Sequence, residues 1–534
     1  RLANLLQRET RVDSIRKKQR FEEEFGADEE SDDDFDDDEE EDESSSGSDD
    51  DDDEKEARRR KRRQQRKKKR RSNLKPRDHR ALFSGNSDDH FRLGIRITRG
   101  AVTLYSNFDD SDIIVASPLG LATYLQSGGI SDKTMAGAAD GGGEKKKKPS
   151  AKERARAVAS AADCLSSLEI VVVDRADALL MQNWAHVASL LGSSINNLPR
   201  SPPVCDVMRV REAHLSGLSR KTRQLIVLSS FTSPAVVAAW SGAAASVAGR
   251  ARLVARRGGA ALEAAPVPVQ LSFERVRPAA AAAAAASAPS ASASTSAATV
   301  DAEARFAHFA SVAWPRLCGK AAFGGEGAFS SSSPSSSSSS TPPPGLLLFV
   351  PSYFDYVRVK KFLRAKSVPV ADMGEYVPPR EAARARTAFF ARGVGRGGAG
   401  AEPVFGTTTD SSKKPPVALL TERSHFFHRA VVRGVSAAFF YQLPDHPKFF
   451  EEVVSWVGKR KKKKTKRRSK GEGGGGGEGG GESDSDDDDG GEAFEHVPGR
   501  AEALFSSVDA LALERVVGTE RCKRMLKGTE PAYV

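Results

Sequence analysis

Two carboxylates, Asp174 and Asp177, follow an apolar run of strand length and could take part in phosphoryl transfer. That chemistry needs a phosphate cradle with a lysine, a carboxylate for Mg²⁺, a group that positions water and usually an arginine finger. Asp174 could hold Mg²⁺ through water, but Arg175 can neither accept a proton nor bind a metal cation. No Gly-x-x-x-x-Gly-Lys-Ser/Thr segment is present. The alternative for Asp174 is structural, since aspartate at a strand end often caps the next helix.

The elements that must position these groups alternate between apolar strands and helices. Near-continuous apolar runs are typical of parallel strands buried on both faces, and they occur at residues 168–173, 224–228, 345–350, 417–420 and 435–441. Helices are predicted at residues 176–191, from about 233, at 353–363 and at 380–390. This alternation predicts an α/β fold with parallel sheets. Functional groups in such sheets lie at the carboxyl ends of the strands, here Ser117, Asp174, Ser229, Pro351 and Thr421.

The order of these strand ends resembles that of superfamily-two RNA helicases of the DEAD-box type. Ser117-Pro118-Leu119-Gly120 stands where that family has Thr-Pro-Gly-Arg, and Asp174-Arg175-Ala176-Asp177 stands where it has Asp-Glu-Ala-Asp. Ser229-Ser230-Phe231 takes the place of Ser-Ala-Thr. Thr421, then Arg433-Gly434-Val435 and Tyr441-Gln442-Leu443-Pro444, resemble the stretch from Thr-Asp through Arg-Gly to Tyr-Asp-Leu-Pro. The resemblance implies two RecA-like lobes.

Longer strings resemble the digestive organ expansion factor family, U3 small-nucleolar-RNA-associated proteins that are DEAD-box-like components of the small-subunit processome. These strings lie at residues 88–95, 111–121, 173–184, 351–358, 421–427, 509–518 and 523–526. The resemblance implies a nucleolar protein whose partners are U3 snoRNA, pre-rRNA and other processome proteins. It implies no membrane and no small-molecule substrate.

The same resemblance indicates that ATPase function has been lost. In helicases the acidic residue after the first aspartate helps to activate water, and removing such a base costs roughly 10²–10⁴ in rate. Here that residue is Arg175. No arginine lies between Pro444 and Arg460, where the helicases carry their finger motif, and losing a finger costs roughly 10³–10⁵. We therefore predict no catalytic residue, no cofactor and no metal.

RNA binding can survive such losses, because helicase lobes hold the phosphate backbone through strand-end hydroxyls and helix N-termini. The residues that match these positions, or that add charge nearby, are Ser117, Gly120, Arg92, Arg96, Arg99, Thr421, Arg433 and Gly434. The alternative is that the hydroxyls are ordinary turn or capping residues. The lobes could equally be docking surfaces for other assembly factors. The aromatic residues at 426–427, 439–441 and 449–450 are predicted to be core residues, the alternative being a platform on which bases stack.

Charge is strongly segregated along the 534-residue chain, whose net charge is +10 and pI about 9.3. An acidic tract at 28–54 precedes a basic block that resembles a nuclear-localisation signal, formed by Arg58, Arg59, Arg60, Lys61, Arg62, Arg63, Lys67, Lys68, Lys69, Arg70 and Arg71. The four cysteines have no metal-clip spacing, so zinc is not expected. No apolar run is long enough for a transmembrane helix.

Composition divides the chain into islands and low-complexity runs. We expect a helical, truncated start of lobe 1 at 1–27, a disordered tail at 28–75 and lobe 1 at 76–256, with an insertion at about 128–155. A linker with a helical segment near 301–320 should fill 257–343. Lobe 2 should span 344–534, with insertions at about 393–415 and 459–495.

Three functions remain open from the sequence. The first is a non-catalytic nucleolar scaffold that serves processing of pre-rRNA toward 18S rRNA. The second is an active RNA-dependent ATPase or helicase of ribosome assembly. The third is an acidic–basic chaperone of nucleolar proteins, in which the lobes are passive.

Overall fold

The computed structural model describes residues 14–25, 75–83, 86, 88–127, 161–198, 208, 211–254, 258–264, 269–278, 297–318, 345–394, 416–461, 494–496, 499–528 and 530–533. They form two compact units, which meet in the sequence between Leu253 and Val254. The basic block at 58–71 and the predicted insertion at 128–155 lie outside the described residues. Across the described ranges no helix combines the length and hydropathy needed to span a bilayer.

The first unit contains a four-stranded mixed sheet with the order β1-β3-β2-β4 and a two-stranded parallel sheet, β5-β6. Its strands are β1 (Ser14–Arg16), β2 (Arg92–Ile97), β3 (Ala101–Leu104), β4 (Ile113–Ala116), β5 (Ile170–Val173) and β6 (Gln224–Val227). Its helices are α1 (Lys18–Phe25), α2 (Arg77–Phe83), α3 (Pro118–Ser127), α4 (Ala176–Leu180), α5 (Trp184–Ser189), α6 (Glu212–Leu215), α7 (Ser219–Thr222) and α8 (Pro234–Ala243).

Three features of this unit differ from the sequence-based prediction. Residues 14–16 form a strand paired with β3 instead of continuing a helix, because Lys17 takes a left-handed conformation (φ 61°) that separates β1 from α1. The predicted helix 176–191 is split, because the Asn183 side chain accepts a hydrogen bond from Ala185 N and starts α5 anew. β5 is covered on one face only among the described residues, since Ile170 and Val172 are more than half exposed.

The second unit is built on a seven-stranded sheet with the order β15-β7-β14-β11-β8-β10-β9, parallel except for the edge strand β15. Its strands are β7 (Val269–Arg275), β8 (Leu346–Phe349), β9 (Val370–Met373), β10 (Val417–Leu420), β11 (Ala437–Phe440), β14 (Gly499–Phe505) and β15 (Ala532–Tyr533). A separate antiparallel hairpin joins β12 (Lys459–Lys461) to β13 (Phe494–His496). The predicted insertion at 459–495 begins and ends in this hairpin.

Helices cover both faces of the seven-stranded sheet. They are α9 (Ala260–Glu263), α10 (Ala297–His308), α11 (Trp314–Cys318), α12 (Tyr353–Ala365), α13 (Pro379–Val394), α14 (Glu422–His428), α15 (Pro447–Trp456), α16 (Ala510–Val517) and α17 (Thr519–Lys527). Alternate residues of β8 face opposite ways, so Leu347 packs in the cluster with α13 and α15, whereas Leu348 packs in the cluster with α11 and α12. The predicted α/β class with parallel sheets is confirmed.

The segment that the sequence assigned to a linker contributes to the second unit's core. β7 pairs with β14 over seven residues, and a π-helical turn at Phe309–Ala313 joins α10 to α11. Phe309 and Trp314 are buried in the same cluster as β8. The boundary predicted at residue 344 therefore falls inside this unit. β7 forms in this segment because Val269, Leu271 and Phe273 alternate with polar residues, a pattern that suits a strand near the sheet edge.

Candidate functional site at the strand ends

The residues at the DEAD-box position lie between the end of β5 and the start of α4. Asp174 and Arg175 are exposed, whereas Ala176 and Asp177 are buried. Arg175 has a left-handed backbone (φ 51°, ψ 47°), and its N–H donates to Asp174 Oδ1 at 2.9 Å. Ala176 N donates to the carbonyl oxygen of Leu228 at 2.9 Å, which ties this turn to the end of β6. The turn thus presents one carboxylate and one guanidinium to solvent, side by side.

The Asp177 carboxylate accepts its hydrogen bonds from within the first unit. Its Oδ2 accepts a hydrogen bond from Ser230 Oγ at 2.8 Å, and its Oδ1 accepts from Ser230 N at 3.4 Å. Ser229 Oγ donates to the carbonyl oxygen of Phe231 at 2.6 Å, so this strand end is also held locally. The structure therefore brings together the two strand ends that the sequence singled out at 174–177 and 229–231. What joins them is a carboxylate–hydroxyl link between neighbouring strands.

Ser117 and Gly120, predicted as RNA contacts, are engaged in packing at the start of α3. Ser117 Oγ donates to the Asp89 carbonyl oxygen and accepts from Gly120 N at 2.9 Å. A methyl group on Gly120 would approach the Phe91 carbonyl oxygen and Ser117 Oγ to 2.8 Å. Glycine is required there so that α3 can lie against residues 89–91. Their geometry supports the capping alternative for Ser117.

The predicted arginines of the first unit lie on and beside β2. Arg92 and Arg96 are separated by four residues in one strand, so they share a face of the sheet. Arg92 is half-buried, with its guanidinium 5.9 Å from the Tyr124 ring centroid. Arg96 and Arg99 are exposed, and Arg99 lies in the turn between β2 and β3. The structure brings Arg96 and Arg99 to one end of this sheet.

In the second unit, Thr421 is fully buried and caps α14, because its Oγ1 accepts from Ser424 N at 3.3 Å. The prediction that Thr421 contacts RNA is therefore not supported by its position, and the capping alternative is. Arg433 is exposed. Gly434 follows with φ +83°, in close approach to Phe390, so a side chain there would be strained. Thr421 and the Arg433–Gly434 pair lie at opposite ends of the sheet, since Thr421 follows β10, the pair precedes β11, and both strands run parallel to β8, which lies between them.

Next to Thr421, Glu422 holds the loop that follows β11. Its buried carboxylate accepts from Asp445 N at 3.1 Å and His446 N at 2.9 Å. Burial and the neighbouring Asp445 carboxylate raise the pKa of Glu422. Asp445 in turn accepts from Arg515 at 2.7 Å. These contacts fasten α14, the loop and α16 together at the carboxyl edge of the sheet.

A buried arginine that the sequence did not single out lies at the same edge. Arg305 of α10 donates to Asp301 Oδ2 at 2.7 Å, to Asp509 Oδ2 at 2.5 Å and to Ser506 Oγ at 3.1 Å. Asp509 also accepts from Gln442 Nε2 at 2.8 Å. The available sequence signal was the i, i+4 spacing of Asp301 and Arg305, which pairs opposite charges on one helix face.

A second ion cluster holds α14 to α15. Glu452 accepts from His425 Nε2 at 2.7 Å and from Arg429 Nε and Nη2 at 2.7 and 2.6 Å. Burial opposes ionisation of Glu452, but these hydrogen bonds outweigh it and lower its pKa to about 2. The aromatic side chains predicted as core are buried, with Phe427 partly so: Phe426, Phe439, Phe440, Tyr441, Phe449 and Phe450.

The fold is that of an α/β protein with parallel sheets, and its first unit matches a family model described as NTP hydrolase-like. Residues 45–251 match the model described as "UTP25, NTP hydrolase-like domain", and residues 293–394 and 409–476 match the "Utp25, C-terminal domain". The chain belongs to the UTP25 family.

Curated relatives share this similarity over most of the chain. U3 small nucleolar RNA-associated protein 25 of Neurospora crassa is 32% identical over 459 residues, which cover 85% of this chain and 46% of the relative. The protein of the same name from Arthroderma benhamiae is 31% identical over 457 residues, which cover 85% of this chain and 48% of the relative. The chain thus spans about half the length of the curated relatives it matches.

Solved structures with a detectable likeness include a DEAD box protein from Methanococcus jannaschii, at 11% identity and a TM-score of 0.24, covering 78% of this chain and 66% of that one. The yeast DEAD-box splicing factor Prp28 has 9% identity and a TM-score of 0.23, covering 68% of this chain and 55% of that one.

A magnesium–nucleotide is the group that an NTP-hydrolase-like domain implies, and the residues at the DEAD-box position do not fit it. Asp177 is buried and bonded to Ser230, so Asp174 is the one exposed carboxylate of the four-residue motif. Beside it stands the Arg175 guanidinium, which repels a cation and cannot take up a proton. Within the described ranges no group of three or more His, Cys, Asp or Glu side chains could hold a metal ion.

Proposed function

We propose that the chain is a non-catalytic component of the small-subunit processome in the nucleolus, where it binds RNA and other assembly proteins and serves pre-rRNA processing toward 18S rRNA. The observation that carries the non-catalytic role is the exposed Arg175 at the position of a water-activating acid. The relatives' name, U3 small nucleolar RNA-associated protein, supports U3 snoRNA and pre-rRNA as its RNA partners. The basic block at 58–71 supports nuclear import.

The non-catalytic role predicts how the purified chain behaves with Mg–ATP and single-stranded RNA. Phosphate release should stay at background, because one missing base costs roughly 10²–10⁴ in rate. Arg175→Glu should also stay at background, because the chain has no arginine between Pro444 and Arg460 to serve as a finger. An active DEAD-box helicase serves as the positive control. RNA-stimulated phosphate release by the unchanged chain that disappears in Asp174→Asn would overturn the proposal.

Direct RNA contact is supported by the exposed cations Arg96, Arg99 and Arg433. Such contacts to phosphate are independent of sequence and weaken as salt rises. Crosslinking in cells, followed by sequencing of the bound RNA, should give sites on pre-rRNA or U3 snoRNA. Arg96→Gln with Arg99→Gln should reduce these crosslinks, whereas Arg252→Gln, at an exposed arginine of the same unit, is the matched control. Unchanged crosslinking in the double variant would remove these residues from the interface.

The role in ribosome assembly is tested by depletion and complementation. Loss of the protein should lower 18S rRNA and cause its precursors to accumulate, as measured by hybridisation with precursor-specific probes. Both the unchanged protein and the Asp174→Asn variant should restore processing, because no step depends on that carboxylate. Normal 18S production after depletion would refute the role. Failure of Asp174→Asn alone would instead favour catalysis.

A further inference from the structure

Exposed aromatic side chains gather at the carboxyl edge of the second unit's sheet. Of the residues whose exposure the structure describes, four Phe, Tyr or Trp side chains are exposed, namely Phe354 (87%), Tyr376 (69%), Phe390 (40%) and Tyr353 (37%). Three of them lie together at this edge. We propose that Tyr353, Phe354 and Tyr376 form a platform on which bases of single-stranded RNA stack. This inference rests on the proposed function, in which the chain binds RNA.

The topology explains why the three residues lie at one edge of the sheet. Tyr353 and Phe354 begin α12 directly after β8, and Tyr376 follows β9 by three residues. β8 and β9 both pair in parallel with β10, so their carboxyl ends lie on the same edge of the sheet. The Tyr353 and Tyr376 rings touch edge to face, with centroids 4.8 Å apart. The platform therefore spans the ends of three adjacent strands, where open parallel sheets bind ligands.

The platform rests on a rigid base. Tyr353 stacks on the buried ring of Tyr356 with centroids 6.0 Å apart and an interplanar angle of 17°. The Tyr356 hydroxyl donates to Asp372 on β9, and Asp372 also accepts from Gly374 N at 3.2 Å. Tyr353 is thus held by a residue that is itself fixed to the neighbouring strand. A fixed ring loses little conformational freedom when a base stacks on it.

Charge around the platform favours a polyanion. Arg380 and Arg384, in the first turns of α13 and close after Tyr376 in the chain, are exposed, whereas Arg358 and Lys360 of α12 are paired with Glu303 and Asp372. The Glu375 carboxylate, next to Tyr376 in the chain, is largely covered and lies 3.6 Å from the Arg423 guanidinium. Aromatic rings on a basic surface are the recognition chemistry of single-stranded nucleic acid, because every base offers a π-face. Duplex RNA keeps its bases stacked internally and could not use such rings.

Fluorescence anisotropy on the full chain tests the platform with a labelled 15-nucleotide oligouridylate and a hairpin duplex of the same length. Phe354→Ala and Tyr376→Ala should each weaken oligouridylate binding about 10-fold and leave duplex binding unchanged. The salt dependence should stay the same, because no charge is removed. Phe354→Trp should keep the affinity, and its added indole fluorescence should be quenched by the bound bases. Phe390→Ala, an exposed ring away from the edge, is the matched control.

Folding does not confound the result, because Phe354 and Tyr376 contribute little to the core and the aromatic variant Phe354→Trp provides a second readout. If both alanine variants bind oligouridylate as tightly as the unchanged chain, the proposed platform is refuted, whereas the proposed RNA binding is unaffected. If the variants lose binding to a labelled poly-aspartate peptide but keep RNA binding, the edge is a protein-docking site and the platform is overturned. Normal 18S rRNA production after depletion of the protein would refute the proposed function, whatever RNA affinities the variants show.

Discussion

Replacing Arg305 by methionine should strongly destabilise the second unit. The Arg305 side chain is 3% exposed, and its partners Asp301 and Asp509 are 7% and 2% exposed, so none of the three charges is solvated. Removing one partner of a buried ion pair costs about 3–5 kcal/mol, because the remaining charge is left without compensation. Two carboxylates would be left here. Methionine keeps much of the packing volume, so the loss reports on charge and hydrogen bonding.

Hydrogen exchange followed by mass spectrometry measures this effect within a two-unit chain, where a single unfolding midpoint is poorly defined. Peptides that cover β11 and β14 should exchange roughly 10²- to 10⁴-fold faster, since each 1.36 kcal/mol is a factor of ten. Peptides of the first unit should be unaffected. Arg364→Met, an exposed arginine on α12, should change the opening free energy by less than about 0.5 kcal/mol.

A charge-neutral variant separates the ionic effect from simple disruption. Arg305→Met combined with Asp301→Asn and Asp509→Asn removes all three charges, and it should recover at least half of the lost protection. Recovery is expected to be incomplete, because Asp509 also accepts from Ser506 N and Gln442 Nε2. A loss below about 1 kcal/mol in Arg305→Met would refute the reasoning. So would a triple variant that is less stable than the single one.

Two further predictions concern Asp177 and Glu452, whose carboxylates accept hydrogen bonds within their units. Asp177→Ala should lower the stability of the first unit by about 1–3 kcal/mol, because Ser230 loses its hydrogen bonds to Asp177, whereas the exposed Asp174→Ala should cost less than half as much. Hydrogen exchange of peptides covering residues 170–180 measures both effects. Glu452 has its pKa lowered to about 2 from 4.5, so it contributes about 3 kcal/mol that is present above pH 4.5 and lost as pH falls toward 2. Hydrogen exchange of peptides covering α14 and α15, corrected for the intrinsic exchange rate at each pH, should therefore show that Glu452→Gln loses protection at pH 6 and loses less at pH 3. An equal loss at both pH values would count against the ion cluster.

The strands that carry the strand-end residues could be predicted because each is a short apolar run followed by polar residues. β5, β6, β8 and β10 lie where the sequence placed them, within one or two residues. β7 and α10 were harder to predict from the sequence, because low-complexity runs flank them and the residues they contact are distant in the chain. Arg305 contacts Asp509, 204 residues away, so no spacing rule reveals that the guanidinium is buried. Long-range pairing decides such contacts.

The predicted site residues divide according to whether a side chain points inward or outward, which residue type does not reveal. Thr421 and Arg433 were both proposed as RNA contacts, yet Thr421 is buried as a cap and Arg433 is exposed. Phe354 and Tyr356 are two residues apart on α12, and this spacing puts the first in solvent and the second in the core. The exposed ring could be recognised only after the helix was placed on the sheet.

The strand ends of this protein use their carboxylates mainly to hold the fold. Asp177 joins two strand ends in the first unit, and Glu422 and Asp509 fix loops and helices in the second. What these ends present to solvent is largely cationic or aromatic, as at Arg175 and Phe354. Carboxylates turned inward cannot assemble a metal site, whereas cations and rings turned outward suit a polyanion with stackable bases. The same edges that position catalysis in an NTP hydrolase are therefore chemically suited here to holding RNA.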